Sequence, residues 1–332
     1  MVAGRAPGRG AERDLRLYRS SVLVTGGHYT LTTVIARLLA CSPRFHTVTE
    51  PGQPFAPLWF RTLGSPHHYV YHDEAAYPEL RAGLIRLMLG RGWAKEALSR
   101  ALRVRSPGVA TQVAAFTRRE LKMRLSPRPA IFKAPYLTFS ARSMQRADGM
   151  RVVLGMRHPC AWIESIVRRD RGFDFRNLLQ PALLEALPEH ADAIDRFAHE
   201  DRPALEQAIL AWRVFQTFHA RYLLGDERTL VVRQHDLVGS PRDAAGRLFR
   251  FAGVDAPAGL DAFLRNAFEA RRVDFTPGGP GRYTERDGRA VVEKWRQRFT
   301  PEEVALIRRE TEELAAAFGY DETHWTDLPA RG

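Results

Sequence analysis

Two cysteines, Cys41 and Cys160, stand in a chain of 332 residues. That is too few for a disulfide framework, and they lack metal-ligand spacing. Both sit in apolar stretches and are expected to be buried hydrophobes. Lysine is scarce too: 50 residues are basic, and only Lys95, Lys122, Lys133 and Lys294 are lysines. No apolar run approaches the roughly 18 residues needed to span a membrane, which argues against integral membrane association. The N-terminus, MVAGRAPGRGAERDLRLYR, has no apolar stretch of the secretory kind. A cytoplasmic location is the expectation from these absences. Helix-turn-helix, zinc and RNA-binding signatures are missing as well. The net charge of +12 therefore favours an anionic partner without pointing to nucleic acid.

What is present is ordinary globular composition, with 45% apolar and 27% charged residues. The length suits one large domain. The expected layout is a flexible basic arm over 1–19 and a single domain over 20–325, with a helical insertion at about 52–128.

Short β-branched runs alternate with helical patterns. Strands are expected at Ser21–Thr25, Phe45–Glu50, Ala130–Pro135, Met150–Arg157 and Thr229–Gln234. Helices are expected over Thr32–Ala40, near 80–90, and over Phe139–Arg146, Cys160–Arg169 and Arg202–Leu224. Two more should start at Ser240-Pro241 and Thr300-Pro301, where a capping residue precedes proline. Strand and helix in alternation argue for an α/β fold, a parallel sheet with helices on both faces. Ligands bind such sheets at the carboxyl ends of strands. That directs attention to the loop after Thr25, the strand end at Arg157 and the stretch after Gln234.

Between the first strand and its helix run Thr25-Gly26-Gly27-His28-Tyr29-Thr30-Leu31-Thr32-Thr33. A strand–loop–helix turn offers backbone N–H groups and a helix dipole to an anion. Thr32 and Thr33 fall where hydroxyls would help. The loop lacks a Walker A lysine, which argues against an ATP or GTP hydrolase. The plainer alternative is a βα turn with capping threonines. The second constellation is Arg157-His158-Pro159, followed by Ser165, expected near the beginning of a helix that Pro159 starts. An arginine at a strand end grips phosphate bidentately. Its alternative is a structural ion pair with Glu164 or Asp170. The cluster His67-His68-x-x-x-His72 lacks a completing carboxylate or cysteine, so no metal is expected. Trp59, Phe60, Tyr69, Tyr71 and Trp93 are candidates for an acceptor wall or for packing.

Together these segments resemble the sulfotransferase family, whose donor is 3′-phosphoadenosine 5′-phosphosulfate (PAPS). In that family a Pro/His-Arg/Lys-Ser-Gly-Thr-Thr loop holds the 5′-phosphosulfate. Here VLVTGGHYTLTTVIARLLACSP fills that slot. The family's later Arg-x-Pro, with a serine eight positions after the arginine, holds the 3′-phosphate; RHPCAWIES matches with Arg157 and Ser165. Glu50-Pro51, Lys133-Ala134-Pro135, VVRQHDLVGSPRDAAGRLFRFAGV and VEKWRQRFTPEEVALIRRETEELAAAFGY extend the likeness over about residues 20–320. The resemblance implies a P-loop-like sheet of sulfotransferase type. It implies a PAPS site at Gly26, Gly27, His28, Tyr29, Thr30, Thr32, Thr33, Arg157 and Ser165, with Arg282 or its neighbours Arg286 and Arg289 reaching the 3′-phosphate. It implies transfer to a hydroxyl or amine of a small-molecule or carbohydrate acceptor, with no metal. Glu50 is the first candidate for the base, its alternative being an ion pair or a helix cap, with His28 and His158 behind it; Lys133 is expected to support the sulfonate or the acceptor, its alternative being a solvated strand-end lysine. Three positions depart from the pattern: Tyr29 stands for the basic residue, Thr30 for serine and Leu31 for glycine. The alternative they open is a catalytically impaired relative that binds nucleotide or a polyanion without transfer.

Overall fold

Five short apolar runs pair side by side, all parallel. They are β1 (Val22–Thr25), β2 (His46–Thr49), β3 (Ala130–Lys133), β4 (Arg151–Met156) and β5 (Thr229–Arg233), in the order β2-β3-β1-β4-β5. The computed structural model describes residues 9–51, 67–91, 98, 101–102, 106–170, 172–265, 267 and 292–326. β1 and β3 are buried along their whole length, because helices cover both faces, and such strands read as continuous apolar runs.

The helices are α1 (Arg9–Arg19), α2 (Thr32–Ala40), α3 (Tyr77–Met88), α4 (Pro107–Leu125), α5 (Ala141–Asp148), α6 (Pro159–Asp170), α7 (Pro181–Ala186) and α8 (Pro188–His199). After them come α9 (Ala204–Tyr222), α10 (Gln234–Gly239), α11 (Pro241–Ala252), α12 (Leu260–Leu264), α13 (Pro301–Ala317) and α14 (Glu322–Thr326). The two-residue alternation of a strand divides the core. Val22, Val24, Ile131 and Val153 pack with α2 and α11 on one face. Leu23, Phe132 and Val152 pack with α1, α3 and α5 on the other. Farther along that second face, Leu154 and Met156 meet α6, α9 and α13.

Most boundaries lie within two residues of the sequence expectation. Three findings correct it. The stretch read as a flexible arm holds α1 from Arg9 onward, with residues 1–8 outside the described set. Tyr18 is fully buried, and its hydroxyl meets that of Tyr77 at 3.1 Å. Arg19 bonds the buried Asp148 at 3.1 Å. The density of arginine in this stretch concealed an apolar edge at Leu15 and Tyr18. Cys41 is half-buried, not buried, because it lies just beyond the end of α2; Cys160 is buried. Ser165 sits in the middle of α6, not near its beginning. The helices α7, α8 and α10 had no counterpart in the sequence reading. Ser240 holds the N-cap position of α11 without a side-chain cap bond, whereas Thr300 and Glu303 form a full capping box on α13.

Candidate functional site

The carboxyl ends of the strands open into one cleft of about 930 Å³. It is bordered by the β1–α2 loop, the β2 and β3 ends, the Arg157 strand end and α6.

The loop lies directly on β4. Gly26 has φ 131°, and a Cβ there would collide with the Gly155 carbonyl oxygen. A Cβ on Gly155 would in turn collide with the Thr30 carbonyl. Two glycines thus bring the loop backbone against the neighbouring strand. The Thr30 hydroxyl donates to the Gly27 carbonyl at 2.9 Å, so Thr30 is buried within the loop. Gly26, Gly27 and Thr30 therefore shape the loop and do not line the cleft. Gly27, Tyr29 and Leu31 have φ of 83°, 59° and 66°, while His28 and Thr30 between them are not left-handed. Such alternation is the pattern from which a backbone nest for anions is built. It ends at Leu31, the residue before α2, so the helix dipole points the same way. Leu31 keeps the backbone path that a glycine would take, and its side chain packs against the α2–α11 core. Thr32 and Thr33 border the cleft on the first turn of α2.

Arg157 closes the other side. It is 6% exposed and makes three bonds: to Gln234 at 2.9 Å, to Ser165 at 2.9 Å and to the Tyr29 carbonyl at 3.1 Å. Arg157 and Ser165, paired in the sequence reading, touch, and both border the cleft. The ion-pair alternative takes another form: Glu164 binds Arg168 at 2.9 Å and Arg298 at 3.5 Å. The Asp170 side chain is outside the described set. Burial lowers the pKa of Arg157 to about 10, which leaves it charged at neutral pH.

Across the cleft the Lys133 ammonium pairs with the Glu50 carboxylate. The register of β2 on β3 sets this up, with Thr49 opposite Lys133 and the Glu50 N–H donating to the Lys133 carbonyl at 2.6 Å. Glu50 takes φ 50°, a left-handed turn that a non-glycine residue holds only where its surroundings demand it. The His28 ring bonds the Tyr69 hydroxyl through Nδ1 and packs edge-on to Tyr136, with centroids 4.5 Å apart. Burial, reinforced by the charges of Lys133 and His68, lowers the pKa of His28 to about 3, so it is neutral at pH 7.

The remaining candidates scatter. His158 leaves the cleft and is withdrawn as a base: it is 1% exposed and stacks on Trp295 at 5.3 Å. His72 is buried against the Ser140 hydroxyl at 2.9 Å, while His68 and Tyr69 border the cleft. Tyr71 packs on Phe218. Among the described residues no group of three side chains is arranged to hold a metal. Arg282, Arg286, Arg289, Trp59, Phe60 and Trp93 lie outside the described residues. The sequence reading passed over Arg37, Arg168, Arg169, Gln234 and Lys294, all at the cleft. Two of these had a signal: Arg168 and Arg169 lie three and four residues beyond Ser165, on the same helix face. Gln234 stands at the third of the strand ends already singled out.

No family model matches the chain. Over 80 residues it is 38% identical to carbohydrate sulfotransferase 7 of Mus musculus, a stretch covering 24% of this chain and 16% of that protein. The matched stretch is thus a small part of that relative's length. The chain is also similar to the solved sulfotransferase domain from the Synechococcus PCC 7002 olefin synthase, with 20% identity and TM-score 0.48, covering 91% of this chain and 94% of that one. For the sulfotransferase domain from the curacin biosynthetic pathway the values are 15% and 0.47, covering 91% of this chain and 98% of that one. The likeness in sequence supports the sulfotransferase family that the motifs resemble.

Proposed function

We propose that the protein is a sulfotransferase that takes PAPS as donor and passes the sulfuryl group to a hydroxyl or amine of a small-molecule or carbohydrate acceptor. The observation that carries this reading is the meeting of two anion-binding devices on one cleft. The nest at Gly27, Tyr29 and Leu31 lies at the head of α2, and Arg157 with Ser165 closes the opposite side. N–H groups, hydroxyls and guanidinium form a donor set suited to phosphate oxygens. The carbohydrate sulfotransferase name of the sequence relative points to the acceptor class.

The chemistry asks for three things. As the acceptor oxygen bonds to sulfur, the bond from sulfur to the bridging oxygen breaks and its electron pair stays on the departing phosphate. Cations facing that oxygen lower the barrier; in this reading Lys133, which borders the cleft at the β3 end, takes that role. The acceptor's proton needs a base, and the Glu50 carboxylate beside Lys133 takes it. His28, with its pKa near 3, is too weak a base at neutral pH and instead orients groups by hydrogen bonding.

Calorimetric titration with adenosine 3′,5′-bisphosphate, the desulfonated product, tests the donor site. Wild type should bind. Ser165→Ala should bind about tenfold more weakly, roughly 1.4 kcal/mol, with unchanged thermal melting. Absence of binding by wild type overturns the reading. Binding without transfer to any hydroxyl or amine in a radiolabelled-sulfuryl acceptor screen leaves the non-transferring alternative.

A further inference from the structure

The donor loop carries Tyr29 where the family resemblance calls for a basic side chain. The fold brings a cation to that place from another element. Arg169 is half-buried on α6, one turn beyond Ser165, and its guanidinium carbon lies 4.8 Å from the centre of the Tyr29 ring. The same tyrosine's carbonyl accepts from Arg157 at 3.1 Å. Tyr29 is therefore gripped from two sides by two guanidinium groups that both border the cleft. Like charges this close repel, and the Arg169 charge acts on Arg157. Glu164, the acid next to Ser165, offsets part of this charge at Arg157 and is itself shared with Arg168 and Arg298. Such an excess of positive charge around a backbone nest is stabilised by an anion between them.

We infer that Arg169, held on the face of Tyr29, supplies from α6 the positive charge that the donor loop lacks. The inference rests on the donor reading above and names the residue that completes it. Tyr29 serves as the platform: its ring face attracts the guanidinium and fixes it over the loop. The anion Arg169 faces is the 5′-phosphate end of the nucleotide, where negative charge gathers as the sulfur–oxygen bond breaks.

The test pairs two ligands with four proteins. Adenosine 3′,5′-bisphosphate and adenosine 3′-phosphate, which lacks the 5′ group, are titrated into wild type, Arg169→Ala, Arg169→Ala combined with Tyr29→Lys, and Arg309→Ala. Arg309→Ala removes an exposed α13 arginine and controls for net charge. Thermal melting checks that each variant folds. Arg169→Ala should weaken the bisphosphate by about tenfold or more and change the 3′-phosphate by less than roughly twofold, and Tyr29→Lys should restore most of the loss. Equal weakening of both ligands, or no weakening, overturns the role of Arg169 while the donor reading stands. Failure of wild type to bind either ligand overturns both.

Discussion

Arg157 and His158 adjoin in the chain and differ in everything their side chains meet. Arg157 turns to the cleft, where Gln234, Ser165 and the Tyr29 carbonyl satisfy it. His158 turns to the opposite side, into a cluster with Trp295, Trp325, Tyr320 and His235, where neither ring nitrogen has a hydrogen-bond partner. The Tyr320 hydroxyl, Nε1 of Trp325 and Nδ1 of His235 are likewise unpartnered there. A polar group without a partner costs free energy that a satisfied one does not. The contrast teaches that one strand end does two jobs. One residue closes the cleft, and the next packs its ring among aromatic side chains of the C-terminal part.

The largest blow to this arrangement would come from β4 itself. Gly155→Ala puts a methyl into the Thr30 carbonyl, lifts the loop off the strand and disturbs what Arg157 grips. A loss of about 3–5 kcal/mol of stability is expected by chemical denaturation, with loss of bisphosphate binding. Next, the two neighbours should part company when each is replaced. Arg157→Ala strands the Tyr29 carbonyl and Gln234 and should cost about 2–3 kcal/mol. His158→Phe keeps the ring stack and removes the orphaned nitrogens, so its stability should stay within about 1 kcal/mol of wild type. Equal losses in the two would break the comparison.

The pH dependence sharpens the same point. Burial lowers the pKa of His158 well below its ordinary value, and that of His235 to about 4. Between those values and the unfolded value near 6.5, the unfolded chain binds more protons than the folded one. Stability therefore falls as pH drops from about 6.5 toward 4. His28, His72 and His219 add to the slope with the same sign. Melting temperature followed over that range should decline less steeply in His158→Phe than in wild type. The smallest effect is at the start of α13: Thr300→Ala removes its capping box at a cost of about 1 kcal/mol and leaves nucleotide affinity unchanged.

Local chemistry made much of this molecule legible in the chain. The five strands were readable because a parallel sheet buried on both faces demands continuous apolar runs, as in Val22–Thr25 and Ala130–Lys133. Proline and a preceding hydroxyl marked the start of α13 because that helix satisfies its first N–H groups with side chains. Arg157 and Ser165 could be paired since eight residues, a turn and two helical turns, return one to the other. The α1 helix was hidden because its apolar edge is narrow and its partners, Tyr77 and Asp148, lie far along the chain.

By itself, then, the sequence determined the five strands, the longer helices that follow them, and the glycine-bearing loop between β1 and α2. Each of these depends on neighbours within a few residues. Only the tertiary structure decided the order β2-β3-β1-β4-β5, the pairing of Glu50 with Lys133, the removal of His158 from the cleft and the placing of Arg169 over Tyr29. Those contacts join residues tens of positions apart or more, and strand register and helix packing set their geometry.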